Sequence, residues 1–301
     1  MAIQTPSLDL GAGLVQATTS SASRGYWKSV GRRLRRDPVT LICGGTLILI
    51  VVASIAAPWL GLADPYKTSM IRRLLPIGSP NYLLGTDELG RDMLARLIYG
   101  GRLSLFMGIT PVVCALLIGG LLGITAGFVG GRTNMLIMRV MDVFYAFPSV
   151  LLAISLSGAM GAGTENTLLS LTLVFIPPVC RVSESVTTQV RGFDFVDAAR
   201  ASGAGTLTIV RVHVLGNVLG PILVYATSLI SVAIILAAGL SFLGLGVKPP
   251  EPEWGLMLNT LRQAIYVNPV LAALPGVMIF ITSICFNLMS DGLRAAMDVK
   301  A

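Results

Sequence analysis

Six apolar blocks, each about as long as an α-helix must be to cross hydrocarbon, divide this sequence at about residues 40–62, 103–128, 134–158, 167–190, 220–246 and 270–291. In lipid every backbone N–H and C=O must find a partner within the protein, and a helix satisfies that need inside one segment. The blocks therefore predict an all-α polytopic membrane protein with six transmembrane helices. Composition agrees: 54% of the 301 residues are apolar and 12% are charged, more apolar surface than a soluble core can use.

The basic residues set the expected orientation. Arg24, Lys28, Arg32, Arg33, Arg35 and Arg36 crowd the tail ahead of the first block, and Arg132 and Arg139 follow the second. The turn after the third block holds Glu165 and no lysine or arginine. Positive charge stays on the cytoplasmic side, so both termini, the tails 1–39 and 294–301 and the segment 191–219 with Arg191, Arg200 and Arg211 are expected inside. The net charge of +7 is accordingly a topology signal against a lipid membrane, and no nucleic-acid partner is called for. A polar start and the lack of a small-residue cleavage site argue against a removable signal peptide, which leaves the first block as an anchor. Cys43, Cys114, Cys180 and Cys285 lie far apart without CxxC spacing and read as packing residues.

Residues 63–102 are expected outside despite six basic residues, because Asp64, Asp87, Glu88 and Asp92 accompany them and long loops obey the charge rule poorly. Within them Thr86 is placed to cap a helix whose first turn carries Asp87 and Glu88. Asp87 with Arg91 and Asp92 with Arg96 fall at i,i+4, while Leu89, Met93 and Leu97 line another face. That pattern predicts an amphipathic helix leaning on the membrane or a neighbour. A core of five further spans then covers 103–293.

In the second block Gly119, Gly123 and Gly127 recur every fourth residue, as a close helix–helix seam requires, although membrane helices also simply tolerate glycine. Pro148, Pro177, Pro178 and Pro275 fall inside blocks and free backbone carbonyls there. Thr227, Ser228 and Ser231 on the fifth block either face a wet pathway or glue helices together. Intramembrane ionisable residues are few: Asp142, Arg181, Glu184 and Asp291, placed near block ends where they can snorkel.

Catalytic patterns are missing. The nearest approach to a phosphate loop, Gly61 to Thr68, has Tyr66 where a second glycine must stand. His213, the sole histidine, has no cysteine or second histidine at ligand spacing, and no GxSxG elbow occurs. No catalytic residue and no metal ligand is assigned.

The segment Asp197 to Pro221, DAARASGAGTLTIVRVHVLGNVLGP, is the longest run of small and polar residues between two spanning blocks and reads as an exposed helix-turn-helix. It resembles the EAA loop of permease subunits from ATP-binding-cassette importers, carried here by Asp197, Ala198, Ala199, Arg200, Gly203, His213 and Asn217. LGTDELGRDMLARLIYGGRLSL from Leu84, LSFLGLGVKPPEPEWGLML from Leu240 and FNLMSDGLRAAMD from Phe286 are similar to signatures of the dipeptide/oligopeptide permease family. Two departures stand out: aspartate replaces glutamate at Asp197, and glycine replaces proline at Gly216.

The resemblance implies the type I importer transmembrane domain, in the bacterial plasma (inner) membrane, crossed several times. It also implies a second homologous permease subunit, one or two ATPase subunits and an extracytoplasmic solute-binding protein as partners. No cofactor would be bound by this chain, with ATP and magnesium held on the partner subunits. Small residues make the 197–203 turn slim enough to enter a groove, and Gly203 lets the backbone reverse after it. The implied cargo is a peptide; nickel chelates, glutathione, opines and sugars are carried by related permeases. A gradient-driven secondary transporter is the competing class, but no inverted repeat is visible. A membrane enzyme is third, against the missing catalytic constellation.

Overall fold

The computed structural model describes residues 30–297; Arg24 and Lys28 of the basic tail and Asp298 of the C-terminal signature lie outside the described residues. The helices are α1 Pro38–Ala56, α2 Met93–Val129, α3 Gly131–Tyr145, α4 Ser149–Met160, α5 Thr164–Arg191, α6 Asp194–Ala201, α7 Thr206–Phe242, α8 Trp254–Thr260 and α9 Pro269–Met297. Among them α1, α2, α5, α7 and α9 are long and apolar enough to cross a bilayer. Asp37 starts α1 by accepting the backbone N–H groups of Val39 and Thr40, at 3.2 and 3.3 Å. The Thr40 hydroxyl donates to the same carboxylate and, with those N–H groups, holds it below the usual carboxylate range.

The third block is not one helix, as its apolar run suggests. It is divided between α3 and α4, which meet at 83°. Pro148 explains the break: it has no N–H to give, and it pushes the preceding residue out of helical geometry. The neighbours show that this broken pair still crosses from one face to the other. Gly119 packs on Ile176, Gly123 on Ser183 and Gly127 on Thr187, so α2 and α5 run parallel. Two parallel spans need a return crossing between them, and α3 with α4 supplies it.

The glycine stripe is what lets α2 and α5 touch. A Cβ on Gly119 would stand 2.6 Å from the Ile176 carbonyl oxygen, and one on Gly127 would stand 2.6 Å from that of Glu184. At such separations only hydrogen fits. Elsewhere on the same face Gly292 of α9 sits against Thr40 of α1, and Met297 against Gly220 of α7. Both ends of the described chain therefore share the face that carries α6.

Residues 60–92 form a compact cap instead of the expected amphipathic helix. Gly90 turns at φ +73°, a conformation that stops a helix, and lies directly on the Ser69 backbone. Thr86 caps nothing: its hydroxyl donates to the Arg72 carbonyl and accepts the Leu75 N–H at 2.9 Å. Asp87 is the centre of the cap. Its carboxylate takes the N–H groups of Leu89 and Arg91 at 2.9 Å, pairs with Arg91 Nε at 2.6 Å and faces Arg96 Nε at 3.2 Å. Asp92 does not pair with Arg96, because its carboxylate accepts the Leu94 N–H at 2.9 Å and so begins α2 ten residues earlier than the apolar block does.

Two of the signature stretches dock on each other at this end. Trp254 donates its indole N–H to the Leu97 carbonyl at 2.9 Å and its backbone N–H to Ser104 at 3.0 Å. Glu253 caps α8 through the N–H groups of Gly255 and Leu256, both at 2.8 Å, and is itself buried. Burial pushes its carboxyl up, against the pull of those N–H groups.

Candidate functional site

α6 is a short knob held between two spanning helices. Asp194 and Asp197 stand in its first turn and Arg200 in its last, each sign matched to the helix dipole. One residue anchors it: Val196 is fully buried among Phe128, Val190, Ile209 and Val214. Asp197, Ala198 and Arg200 are exposed and Ala199 is half-buried, so the knob presents small side chains and one ion pair, Arg200–Asp197 at 3.1 Å. Gly203 sits at φ +82° and donates its N–H to the Arg200 carbonyl at 2.9 Å, while the Ala204 N–H reaches Ala199 at 3.1 Å. That is a left-handed helix stop of the kind glycine serves best.

α7 begins immediately behind this turn, and its wide π-helical stretch Val210–Val214 carries Arg211 and His213. His213 is half-buried, its ring 6.3 Å from that of Phe195 on α6. Asn217 is exposed and donates its side-chain amide to the His213 carbonyl at 2.6 Å. The structure thus brings Asp197, Ala198, Arg200 and Gly203 to one outward surface. His213 lies behind it as a brace, and Asn217 lies one turn along α7.

The three hydroxyls on α7 are not gathered at one site. Thr227, Ser228 and Ser231 donate to the Leu223, Tyr225 and Ser228 carbonyls of their own helix, at 2.8, 2.7 and 2.7 Å. Ser231 borders a groove of about 370 Å³ shared with Gly276 and Ser283 of α9.

A larger cavity, about 490 Å³, opens at the α3/α4 break. Phe144, Tyr145 and Phe147 wall one side; Phe175 and Pro177 of α5 and Leu229 of α7 wall the other. One helical turn away on both α3 and α5, Arg181 pairs with Asp142, and its guanidinium lies 4.4 Å from the centre of the Tyr145 ring. Both charges are nearly half exposed, 44% and 46%. Arg181 lies about 15 Å along α5 from its Arg191 end, and Asp142 supplies its counter-charge there. Glu184 is held separately, by Asn134 at 2.6 Å and Thr188 at 3.0 Å. Sequence reasoning noted Asp142 and Arg181 singly and missed their meeting, which depends on how α3 packs against α5.

A profile of the binding-protein-dependent transport system inner membrane components matches residues 119–300. The chain belongs to this family. A profile of the N-terminal transmembrane domain of oligopeptide transport permease C matches residues 25–76. As a family member the chain is a multi-pass inner-membrane permease of an ATP-binding-cassette importer. It is 44% identical over 264 residues to the di/tripeptide transport system permease protein DppC of Pseudomonas aeruginosa, covering 85% of this chain and 87% of that one. It is 38% identical to the glutathione transport system permease protein GsiD of Pectobacterium atrosepticum, over 91% of each. It is 36% identical to the probable D,D-dipeptide transport system permease protein DdpC of Escherichia coli, over 89% of this chain and 90% of that one. In fold it is similar to the inward-facing methionine transporter MetNI, with a TM-score of 0.56 at 18% identity, over 68% of this chain and 97% of that chain. The secondary-transporter reading is not favoured.

Proposed function

We propose that this permease forms half of a pathway for peptides, with ATP hydrolysed on separate ATPase subunits that grip α6. The carrying observation is the knob: an eight-residue helix, exposed on its outer face and continuous through short turns with both α5 and α7. A push on such a helix reaches two spans at once, and a ligand shifts a conformational equilibrium only through its different affinities for the two states. Asp197, Ala198, Ala199, Arg200 and Gly203 form the gripped surface in this reading, with His213 and Asn217 supporting it. The face that carries α6 and both ends of the described residues is the cytoplasmic one in this reading, in accord with the basic residues of the tail and with Arg132, Arg139 and Arg191.

The partners are a second homologous permease, since one such chain walls only one side of a channel, one or two ATPase subunits holding ATP and magnesium, and an extracytoplasmic binding protein that delivers solute. Peptide cargo rests on likeness to the di/tripeptide and D,D-dipeptide relatives. In proteoliposomes holding the whole assembly, tripeptide uptake is expected to stop when internal ATP is removed and to survive collapse of proton and sodium gradients. The reverse pattern refutes the reading. A cysteine replacing Ala198 is expected to crosslink to the ATPase.

A further inference from the structure

A guanidinium and a carboxylate within membrane-crossing segments need a reason. Among the described residues the α3/α4 break offers one, because it places an aromatic cavity and an ion pair one helical turn apart on the same two helices. Tyr145 belongs to both: it walls the cavity and carries Arg181 on its ring face. Intramembrane charges that face a wet space mark solute pathways, and these two are nearly half exposed. An exposed ion pair is held by little net free energy, so an incoming charge can take over either partner.

We infer that the cavity at the α3/α4 break is a cargo subsite in which an apolar peptide side chain lies against Phe144, Tyr145 and Phe147 while the peptide's C-terminal carboxylate displaces Asp142 from Arg181. The inference rests on the peptide reading and adds to it the residues that choose the cargo. Charge and shape both fit. Arginine's planar fork suits a carboxylate, and its position over Tyr145 fixes the direction in which the fork points. A volume of about 490 Å³ holds one large side chain with room for backbone. The neighbouring carboxylate, Glu184, is already occupied by Asn134 and Thr188 and does not compete.

The test uses the complete assembly in proteoliposomes, with a hydrophobic tripeptide supplied either as the free acid or as its C-terminal amide. Each is added at a concentration that saturates the binding protein, so that differences arise in the membrane. Wild type is expected to import the free acid about tenfold faster than the amide. Arg181→Gln is expected to abolish the preference, so that free acid and amide are imported at one rate. Arg181→Lys keeps part of the preference, and Asp142→Asn, which removes the ion pair but keeps the arginine, keeps all of it. If Arg181→Gln or Asp142→Asn slows both peptides by one factor, the pair is a structural staple and the inference falls. Equal rates for acid and amide in wild type overturn it as well. Failure of wild type to import either peptide overturns the cargo reading itself, and this subsite with it.

Discussion

Gly120 and Gly123 of α2 let one substitution report two opposed effects. Helix propensity alone favours alanine over glycine by about 1 kcal/mol. At Gly120 nothing stands within 4 Å of an added methyl group, so Gly120→Ala is expected to raise stability by up to about 1 kcal/mol. At Gly123 the same methyl would lie 2.6 Å from Ser183 Cβ and 2.9 Å from the Glu184 nitrogen. Carbon atoms pack comfortably at about 3.5–4.0 Å, so α5 must retreat by about 1 Å. Added volume in a packed interior costs about 1–3 kcal/mol, which outweighs the propensity gain and leaves Gly123→Ala destabilised by about 1 kcal/mol. The two variants are expected to differ by about 2 kcal/mol, with opposite signs. Thermal unfolding of the purified protein in one detergent, followed by a buried-cysteine dye, measures that difference. Equal shifts in the two variants would show that α2 and α5 do not meet along this stripe.

Gly203→Ala places a side chain at φ +82°, at a local cost of about 1–2 kcal/mol, and is expected to leave the spans folded while lowering solute-stimulated ATPase activity of the assembly. Normal stimulation would remove the turn from the coupling path. Asp87→Ala leaves Arg96 buried without its carboxylate, beside an Arg91 that keeps only Glu88 at 2.9 Å, and is expected to destabilise the cap by about 3 kcal/mol, read as earlier cleavage in limited proteolysis within residues 60–92. Unchanged cleavage refutes that account. Burial, helped by the neighbouring Asp87 charge, raises the Glu88 carboxyl above its ordinary value of 4.5. The folded state therefore binds this proton more tightly than the unfolded one, so the contribution is complete below pH 4.5 and is lost as pH rises through the raised value. Glu88→Gln is expected to flatten that part of the stability–pH curve, and an unaltered slope counts against it.

Much of this fold was legible because the bilayer forces it. Apolar length located the spans, and a four-residue glycine period coincided with the α2–α5 contact. The knob was legible for a different reason: small residues followed by a glycine mark a slim helix with a sharp stop, and Gly203 has the positive φ such a stop requires. The failures share one cause. Spacing records what lies on a helix face only if a helix is there. Asp87 and Arg91 do pair at i,i+4, but across a glycine turn, and Asp92 caps a helix instead of pairing with Arg96. Likewise the third block's hydropathy is indifferent to an 83° bend, although Pro148 stood in plain sight. Pro148 pointed to a bent helix but not to the size of the bend, and the meeting of Asp142 with Arg181 went unread.

The wide turn at Val210–Val214 separates the knob's end of α7 from the bilayer portion by one helical miscount. Taking a single residue out of it would return the stretch to ordinary α-helix with the two parts facing nearly as before, because the wide turn already absorbs one extra residue. What the removal would lose is the local widening that carries Arg211 and His213 beside α6. The one-residue surplus thus acts on the backing of the knob and leaves the register of the spanning stretch alone.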